Sequence, residues 1–393
     1  MTARQAGKQI RLVERLLVAA VREHDWDVTP QELLDHQGSY DELALVRLAT
    51  MHRVTGCLAA SLPGSVRGQE AAAALREARF TSATQRLRAE ADLRLVAEVL
   101  GTDLPWLVFK GPVLARHYYS RPDLRSYVDL DLLVLPATLG LALARFEDAG
   151  FTLLDRNWLM LSEQLSGELH LMSPNGGAID LHWDLFNDQV ARRNFALVTK
   201  TFFERSQQVA VGSQHVRTLD DLDTLIHTAL HAARSGGDRL VWMKDLEQQV
   251  LHRPFDWGEL AARCQEHQAQ LPVVVMLQRA RASLSIHGLT DTALGTIGGA
   301  RAWRDLGRVI DHWAPVVRAG NEGSATRIYA RATRADGAGA AVELSKRLLA
   351  RARRQATRRE QVPTWDPTHP RSILFPSGGL AERNTFLRSV ASL

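Results

Sequence analysis

Two aspartates, Asp129 and Asp131, stand one residue apart in the stretch RSYVDLDLLV at residues 125–134. In a β-strand the side chains alternate between two faces, so Val128, Leu130, Leu132 and Val134 would share one face and both carboxylates the other. Like charges side by side do not stabilise a strand, but a cation that binds both removes their repulsion. Paired carboxylates suit Mg²⁺, and two such ions suit phosphoryl or nucleotidyl transfer. A solvated strand or an Asx turn is the alternative interpretation.

A third carboxylate, Asp180, follows in the clearest hairpin pattern of the sequence, GELHLMSPNGGAIDLHWDL at residues 167–185. Alternation puts Asp180 and His182 on one face of its second strand, and Ile179 and Leu181 on the other. A two-metal site needs such a carboxylate for its second ion and for activation of an acceptor hydroxyl. His182 fits proton transfer or substrate binding, and an ordinary hydrogen-bonded histidine is the alternative.

A phosphate-binding turn is predicted before the aspartates. WLVFK at 106–110 indicates a buried strand, and Gly111 with Pro112 indicates the start of a helix. Helix N-termini offer free amides to phosphate, glycine lets the backbone approach, and lysine adds positive charge. Lys110 and Gly111 are therefore candidate donor contacts. Arg125 is either a further phosphate contact or a surface charge at the strand edge.

Two pairs of residues further along the chain are weaker candidates. His227 and His231 have the spacing of paired zinc ligands on a helix, but HTALH lacks the glutamate of the metalloprotease motif and no third ligand is evident. A helix face that lines the cleft, or a buried hydrogen-bonded pair, is the favoured interpretation. Lys244 and Asp245 either border a nucleotide pocket or form pairs within the helical region, and the structural role is favoured for Asp245.

The main candidates lie in a segment whose pattern differs from that of the rest of the chain. Residues 1–103 have a helical pattern, and SYDE at 39–42 has the form of a capping box. Residues 104–218 mix short strands with helices, and residues 219–361 are helical again. A proline-rich surface tail at 362–393 is predicted as loop. The expected fold class is α+β, a mixed-sheet core flanked by N-terminal and C-terminal helical domains.

Length and composition are those of an ordinary globular protein, with 393 residues, 45% hydrophobic and 23% charged. The first twenty residues favour an amphipathic helix over a signal peptide, and no apolar run is long enough for a membrane span. We therefore expect a cytoplasmic protein. Cys57 and Cys264 are far apart and are expected to be buried thiols. A formal charge of +4 is mild and permits phosphate-bearing ligands.

Taken together, these motifs resemble the polymerase-β-like nucleotidyltransferase superfamily. Its pattern is a strand, a glycine-containing turn into a helix, a D-x-D strand and a later strand with a third acidic residue. The chain is similar in particular to a branch of uncharacterised bacterial nucleotidyltransferases, over roughly residues 104–250. The matching residues are Phe109-Lys110-Gly111, Tyr118 or Tyr119, Arg125, Asp129, Asp131 and Asp180-Leu181-His182-Trp183, followed downstream by HTALHAARSGGDRLVWMKDL.

The resemblance implies a polymerase-β-like core that transfers a nucleotidyl group with Mg²⁺ or Mn²⁺. The donor would be a nucleoside triphosphate or a nucleotide sugar, and the acceptor a small molecule, a peptide or a protein side chain. The superfamily's usual Gly-Ser at the phosphate turn is Lys-Gly here, which leaves the phosphate contacts open. The implied metal ligands and catalytic residues are Asp129, Asp131 and Asp180. The implied donor contacts are Lys110, Gly111, Arg125 and His182.

A second class of function stays open at this point. The segment 342–360 predicts a strongly basic helix, which is either a solvated face or a guide for an anionic acceptor such as RNA. The alternative hypothesis is therefore a non-catalytic RNA-binding or assembly protein that retains the fold. The three carboxylates favour the enzyme, and nucleic acid is the less favoured partner.

Overall fold

Five strands form a mixed sheet in the middle of the chain. The computed structural model describes residues 3–23, 40–62, 66–252, 256–318, 324–357 and 366–393, with backbone alone at 3–7 and 354–357. The order in the sheet is β1-β2-β5-β4-β3, with β2 and β5 parallel and the other neighbours antiparallel. The expected α+β class is confirmed. The strands are β1 (Trp106–Phe109), β2 (Asp129–Val134), β3 (Thr152–Leu153), β4 (Glu168–Met172) and β5 (Ala178–His182).

Helices precede the sheet, as the sequence predicts. They are α1 (Ala3–Val21), α2 (Glu42–Met51), α3 (Thr55–Ser61) and α4 (Gln69–Leu100). Ser39 of the predicted capping box lies outside the described residues. Asp41 caps α2 by accepting a hydrogen bond from the amide of Ala44 at 2.9 Å. Glu42 instead accepts amide hydrogen bonds from the segment that leads into α4.

Short helices connect the strands. α5 (Gly111–His117) links β1 to β2, and its proline stands in the first turn, where the missing amide hydrogen costs nothing. The other helices of this region are α6 (Leu139–Asp148), α7 (Trp158–Gln164), α8 (Gln189–Arg192) and α9 (Thr199–Glu204). A separate two-stranded hairpin follows, formed by β6 (Gln207–Val211) and β7 (Gln214–Thr218).

The chain then returns to helices. Ordered along the sequence, they are α10 (Asp221–Ser235), α11 (Leu240–His252), α12 (Trp257–Glu266), α13 (Gln270–Leu284), α14 (Asp291–Ile297), α15 (Arg301–Trp313), α16 (Ala325–Ala332) and α17 (Gly337–Thr357). One hydrophobic cluster contains buried residues of both helical regions, for example Leu16 and Leu45 from the N-terminal side and Leu225 and Val274 from the C-terminal side. The two regions therefore share a core, and the domain boundaries stay a prediction.

The two faces of the sheet have different partners. Leu130, Leu132 and Ile179 point into a cluster that also contains residues of α4 and α6. Phe109 and Leu133 belong to the opposite face, where apolar residues of α9 cover part of the sheet. The alternation of β2 thus buries Leu130 and Leu132 on one side and leaves both aspartates on the other, together with Leu133.

The C-terminal tail differs from the predicted loop. Helix α18 (Leu380–Ala391) lies within it, while residues 358–365 lie outside the described part of the chain. Phe386 and Val390 of α18 are buried in the cluster beneath the sheet, and Arg383 forms an ion pair with Glu147 of α6. The first part of the tail is rich in proline, which favoured a loop in the sequence analysis. The short amphipathic helix that follows packs its apolar residues into this cluster.

Two further expectations concern the cysteines and the membrane. Cys57 and Cys264 are both free and buried, as predicted. Within the described ranges, no helix is long and apolar enough to cross a membrane.

Candidate active site

The polar face of the sheet brings together three of the residues singled out in the sequence. Parallel pairing of β2 with β5 puts Asp131 directly beside Asp180. His182 lies two residues further along β5, and its Nε2 is 3.2 Å from Oδ1 of Asp131. One ligand atom from each of the three lies within 4.8 Å of the others. This buried group has the spacing to hold a metal ion.

Asp129 lies next to this group. It begins β2 on the same face as Asp131 and lines the same cavity, opposite Ala178 of β5. The three predicted carboxylates thus face one space, although Asp129 does not belong to the tighter group of three ligand atoms.

Lys110 contacts the central carboxylate. Its Nζ lies 2.6 Å from Oδ1 of Asp131, the same oxygen that His182 approaches. Burial disfavours the positive charge of Lys110, but Asp131 outweighs burial and raises the lysine pKa. In this arrangement a lysine and a histidine neutralise Asp131.

The turn at Lys110 and Gly111 has an unusual backbone. Lys110 has a φ of 59° and Gly111 a φ of 23°, a region that side chains other than glycine rarely adopt. A Cβ on Gly111 would lie 3.2 Å from the backbone oxygen of Asp129. Because it has no side chain, Gly111 lets this turn approach Asp129, the first residue of the D-x-D strand. Gly111 also lines the cavity.

Three residues that the sequence analysis did not single out extend the charged network. Glu168 of β4 lies opposite His182, with Oε2 3.2 Å from the histidine Nδ1. His170 lies 3.5 Å from Oε1 of Glu168, and its Nδ1 is 3.1 Å from Asp155. The alternation in GELHLM signals that Glu168 and His170 share a face, but the register that puts them beside β5 was not predicted.

The carboxylates of the site differ in their surroundings. Burial and the neighbouring Asp131 raise the pKa of Asp129, and the same two causes raise the pKa of Asp180 to about 7. Burial opposes the charge of Asp131 as well, but Lys110 and His182 outweigh it and hold the pKa of Asp131 below its usual range. Burial likewise opposes the charge of Glu168, but the two histidines lower its pKa to about 2.

Asp129 and Asp180 are the carboxylates that lack a counterion. Within the described part of the chain, no side chain forms an ion pair or a hydrogen bond with either of them. Partly buried carboxylates without a cation are costly, and a divalent metal would remove that cost. Carboxylate oxygens are suitable ligands for Mg²⁺ or Mn²⁺. The residues present therefore fit a metal ion.

Arg125 is held by a partner from another part of the chain. Its Nε and Nη2 donate to the two carboxylate oxygens of Asp245 at 2.7 and 3.0 Å. Tyr119 also donates to Asp245, at 2.7 Å. The structural role favoured for Asp245 agrees with this geometry, which joins the start of the D-x-D segment to α11. Arg125 still lines the cavity, and its Nη1 lies 3.4 Å from the carbonyl oxygen of Gly111.

The paired histidines line the cavity wall. His227 and His231 are on α10, and the ring of His227 packs edge-on against Phe109 at the end of β1. Burial, and after it the positive charge of Lys110, lowers the pKa of both histidines. The pKa of His231 falls to about 3. Among the described residues, neither histidine belongs to a group with metal-ligand spacing. Lys244 points away and pairs with Glu23 and Glu247.

A cavity of about 810 Å³ opens over the polar face. Its carboxylates come from the sheet, and most of its cationic side chains come from the surrounding helices and turns. Positive charge around an acidic floor suits a phosphate-bearing ligand that also contacts a metal. The carboxylates are Asp129, Asp131, Glu168 and Asp180, and the cations are Arg53, Lys110, Arg125, Arg234, Arg239, Arg327 and Arg331.

The predicted basic helix corresponds to α17, which contributes no residue to the described lining of this cavity. Arg347 forms an ion pair with Glu343 one turn earlier, at 2.8 Å. The side chains of Arg354, Arg358 and Arg359 lie outside the described residues.

A mixed sheet with acidic residues on two adjacent strands, beside a lysine-glycine turn, is the arrangement expected of a nucleotidyltransferase core. Residues 39–285 match the family described as uncharacterised nucleotidyltransferase, and the chain belongs to that family. No curated protein matches the chain. The match ends before α16, so Arg327 and Arg331 of the cavity lining lie outside it. Placement in a bacterial branch of the polymerase-β-like superfamily stays a prediction.

Proposed function

We propose that the protein is a metal-dependent nucleotidyltransferase that uses a two-metal mechanism. It moves a nucleotidyl or related phosphate-linked group from a nucleoside triphosphate or nucleotide sugar to a small-molecule, peptide or protein acceptor. One observation carries the proposal. Carboxylates from two adjacent strands meet in a cation-lined cavity, and Asp129 and Asp180 have no counterion among the described residues.

The proposed metal ligands are the three carboxylates. Asp131 and Asp180 lie side by side on adjacent strands for one ion, and Asp129 lies beside them. When bound, Mg²⁺ or Mn²⁺ would neutralise charge on the donor phosphates and favour ionisation of the acceptor hydroxyl. Asp180 is the proposed acceptor of the proton of that hydroxyl.

The remaining residues have supporting roles. Lys110 and Gly111 line the cavity next to Asp131 and are the proposed donor contacts. Arg125 forms an ion pair with Asp245 and also donates to the carbonyl oxygen of Gly111. We therefore assign Arg125 mainly to holding the Lys110-Gly111 turn in place. Glu168 lies 3.2 Å from Nδ1 of His182, on the side away from Asp131, and its negative charge favours the protonated imidazole.

The experiment uses Asp180→Asn, because Asp180 forms no ion pair with any described residue and its replacement leaves no described cation without a partner. The substitution removes repulsion with Asp131, so we expect the metal-free variant to melt at the same temperature as the wild type or higher. The melting temperature is measured with each nucleoside triphosphate and with nucleotide sugars, with and without Mg²⁺ or Mn²⁺. A ligand at 100 times its Kd stabilises the folded state by about 2.7 kcal/mol.

The wild type is expected to be stabilised by a donor only when metal is present, and Asp180→Asn is expected to lose that response. Asp148→Asn on exposed α6 surface is the matched control and should respond like the wild type. Metal-dependent donor binding that survives in Asp180→Asn, or a wild type that no donor stabilises with metal, contradicts the proposal.

A further inference from the structure

Arg53 occupies a position where glycine is the preferred residue. It follows the C-cap of α2 with a φ of 58°, and the amide of Val54 bonds back to the carbonyl of Ala49 at 2.9 Å. This is the helix-ending motif whose left-handed residue is most often glycine, since a side chain is strained there. The neighbours His52 and Val54 are both buried, so the turn is fixed in place. An arginine here is strained, as Gln268 is in the same motif after α12.

The side chain of Arg53 is in position to bind a ligand. It is exposed, and its guanidinium has no ion-pair partner among the residues that the structure describes. It lines the 810 Å³ cavity and also a neighbouring groove of about 470 Å³, so it lies where the two meet. Its charge acts on Asp129, where it partly offsets the effect of burial on that carboxylate.

We propose that Arg53 binds the polyphosphate chain of the donor at the mouth of the cavity. The inference rests on the proposed function, because it takes the ligand to be the donor of that reaction. A phosphate that lies near the metal ligands and also reaches Arg53 must cross the mouth of the cavity beside Asp129. A planar guanidinium offers two parallel donors to phosphate oxygens, which a lysine does not.

The test separates ligand binding from backbone strain. Arg53→Gly removes both the guanidinium and the strained side chain, so we expect a higher melting temperature and weaker ligand binding. Gln268→Gly is the matched control. Gln268 follows α12 in the same motif, with a φ of 53° and buried neighbours, but it does not line the described cavity. It should raise the melting temperature without changing binding.

Two probes are titrated by calorimetry at constant ionic strength with Mg²⁺: inorganic tripolyphosphate and the nucleoside triphosphate that stabilises the wild type most. Arg53→Ala and Arg53→Gly are expected to weaken both by roughly tenfold or more, the range for loss of a charge-assisted hydrogen bond. Arg53→Lys should retain part of the affinity. Arg47→Ala removes an exposed arginine six residues earlier, on α2, that lines only the groove, and it should bind as the wild type does.

The outcomes distinguish this inference from the proposed function. If Arg53→Ala binds both probes as tightly as the wild type, the inference is wrong while the function stands. If the wild type binds tripolyphosphate through Arg53 but no nucleotide, the proposed function fails and the anion site stands. If the wild type does not bind tripolyphosphate, the inference is overturned.

Discussion

The buried pair of Arg125 and Asp245 provides a quantitative test of how the sheet is held against α11. Their side chains are 10% and 2% exposed, and two parallel hydrogen bonds join them. Burial opposes the charge of Arg125, but Asp245 outweighs it and raises the arginine pKa. Removal of either partner leaves the other charged and buried.

The expected magnitude follows from that burial. Asp245→Asn leaves the guanidinium without its carboxylate and should lower the free energy of unfolding by about 3–5 kcal/mol. Arg125→Met leaves Asp245 with the Tyr119 hydroxyl as a donor, and a loss of similar size is expected. In the double variant no buried charge is unpaired. Its loss should therefore be smaller than the sum of the single losses by at least about 2 kcal/mol.

The four proteins, the wild type, the two single variants and the double variant, form a double-mutant cycle. Their free energies of unfolding are measured by urea unfolding, followed by tryptophan fluorescence and by circular dichroism, and are compared if the two signals give coincident curves. Lys200 and Glu204 on α9 form an exposed pair, 78% and 58% exposed, and are the control cycle. Their coupling should stay under about 0.5 kcal/mol. A coupling under about 1 kcal/mol for Arg125 and Asp245 would refute the view that they act as one buried unit.

Three further predictions test other features. Lys110→Met removes a cation that competes with metal for Asp131. The affinity for Mn²⁺ in the absence of nucleotide, measured by titration calorimetry, should therefore rise roughly tenfold. Weaker Mn²⁺ binding by the variant would contradict this prediction. Burial lowers the pKa of His52 to about 4 from 6.5, so the unfolded chain takes up this proton first and stability is lost as pH falls from 6.5 toward 4. His52→Gln should reduce the stability lost between pH 7.5 and 5 by about 2 kcal/mol, and an unchanged pH profile would exclude this role. Gly56→Ala would put a Cβ 2.0 Å from a backbone oxygen and should destabilise the fold strongly. Gly295→Ala lies in a helix with open space around it and should stabilise the fold by up to about 1 kcal/mol. Equal melting temperatures of the two variants would refute this contrast.

The local pattern of the core predicted much of the site. Alternation in the D-x-D stretch and in the hairpin identified which side chains share a face, and the structure gives the same faces for Asp131, Asp180 and His182. The parallel pairing that sets Asp131 beside Asp180 could not be derived this way. It depends on the order of strands in the sheet, where β5 lies next to β2 and not at the edge.

Contacts between distant segments were beyond the sequence patterns. Arg125 and Asp245 were each recognised as candidates, but their pairing across 120 residues depends on the packing of α11 against the core. Arg53 carries no motif at all. It is significant because of its backbone conformation and the cavity it lines, and neither follows from residue types or spacing. The amphipathic helix in the tail was missed because a proline-rich segment precedes it.

The distribution of counterions on the polar face bears on whether the site is structural or functional. Asp131 is neutralised by Lys110 and His182, and Glu168 by the two histidines that flank it. A face evolved only for stability would pair its remaining carboxylates as well, because each unpaired buried charge is costly. Asp129 and Asp180 instead stay without a counterion among the described residues and face a cavity whose other walls are cationic. Such an arrangement keeps negative charge available for a cation from solution, with arginines nearby for the anion that accompanies it. The cost in stability is therefore concentrated at the two positions where the proposed reaction needs a metal, which is why Asp180→Asn should stabilise the fold while it removes the function.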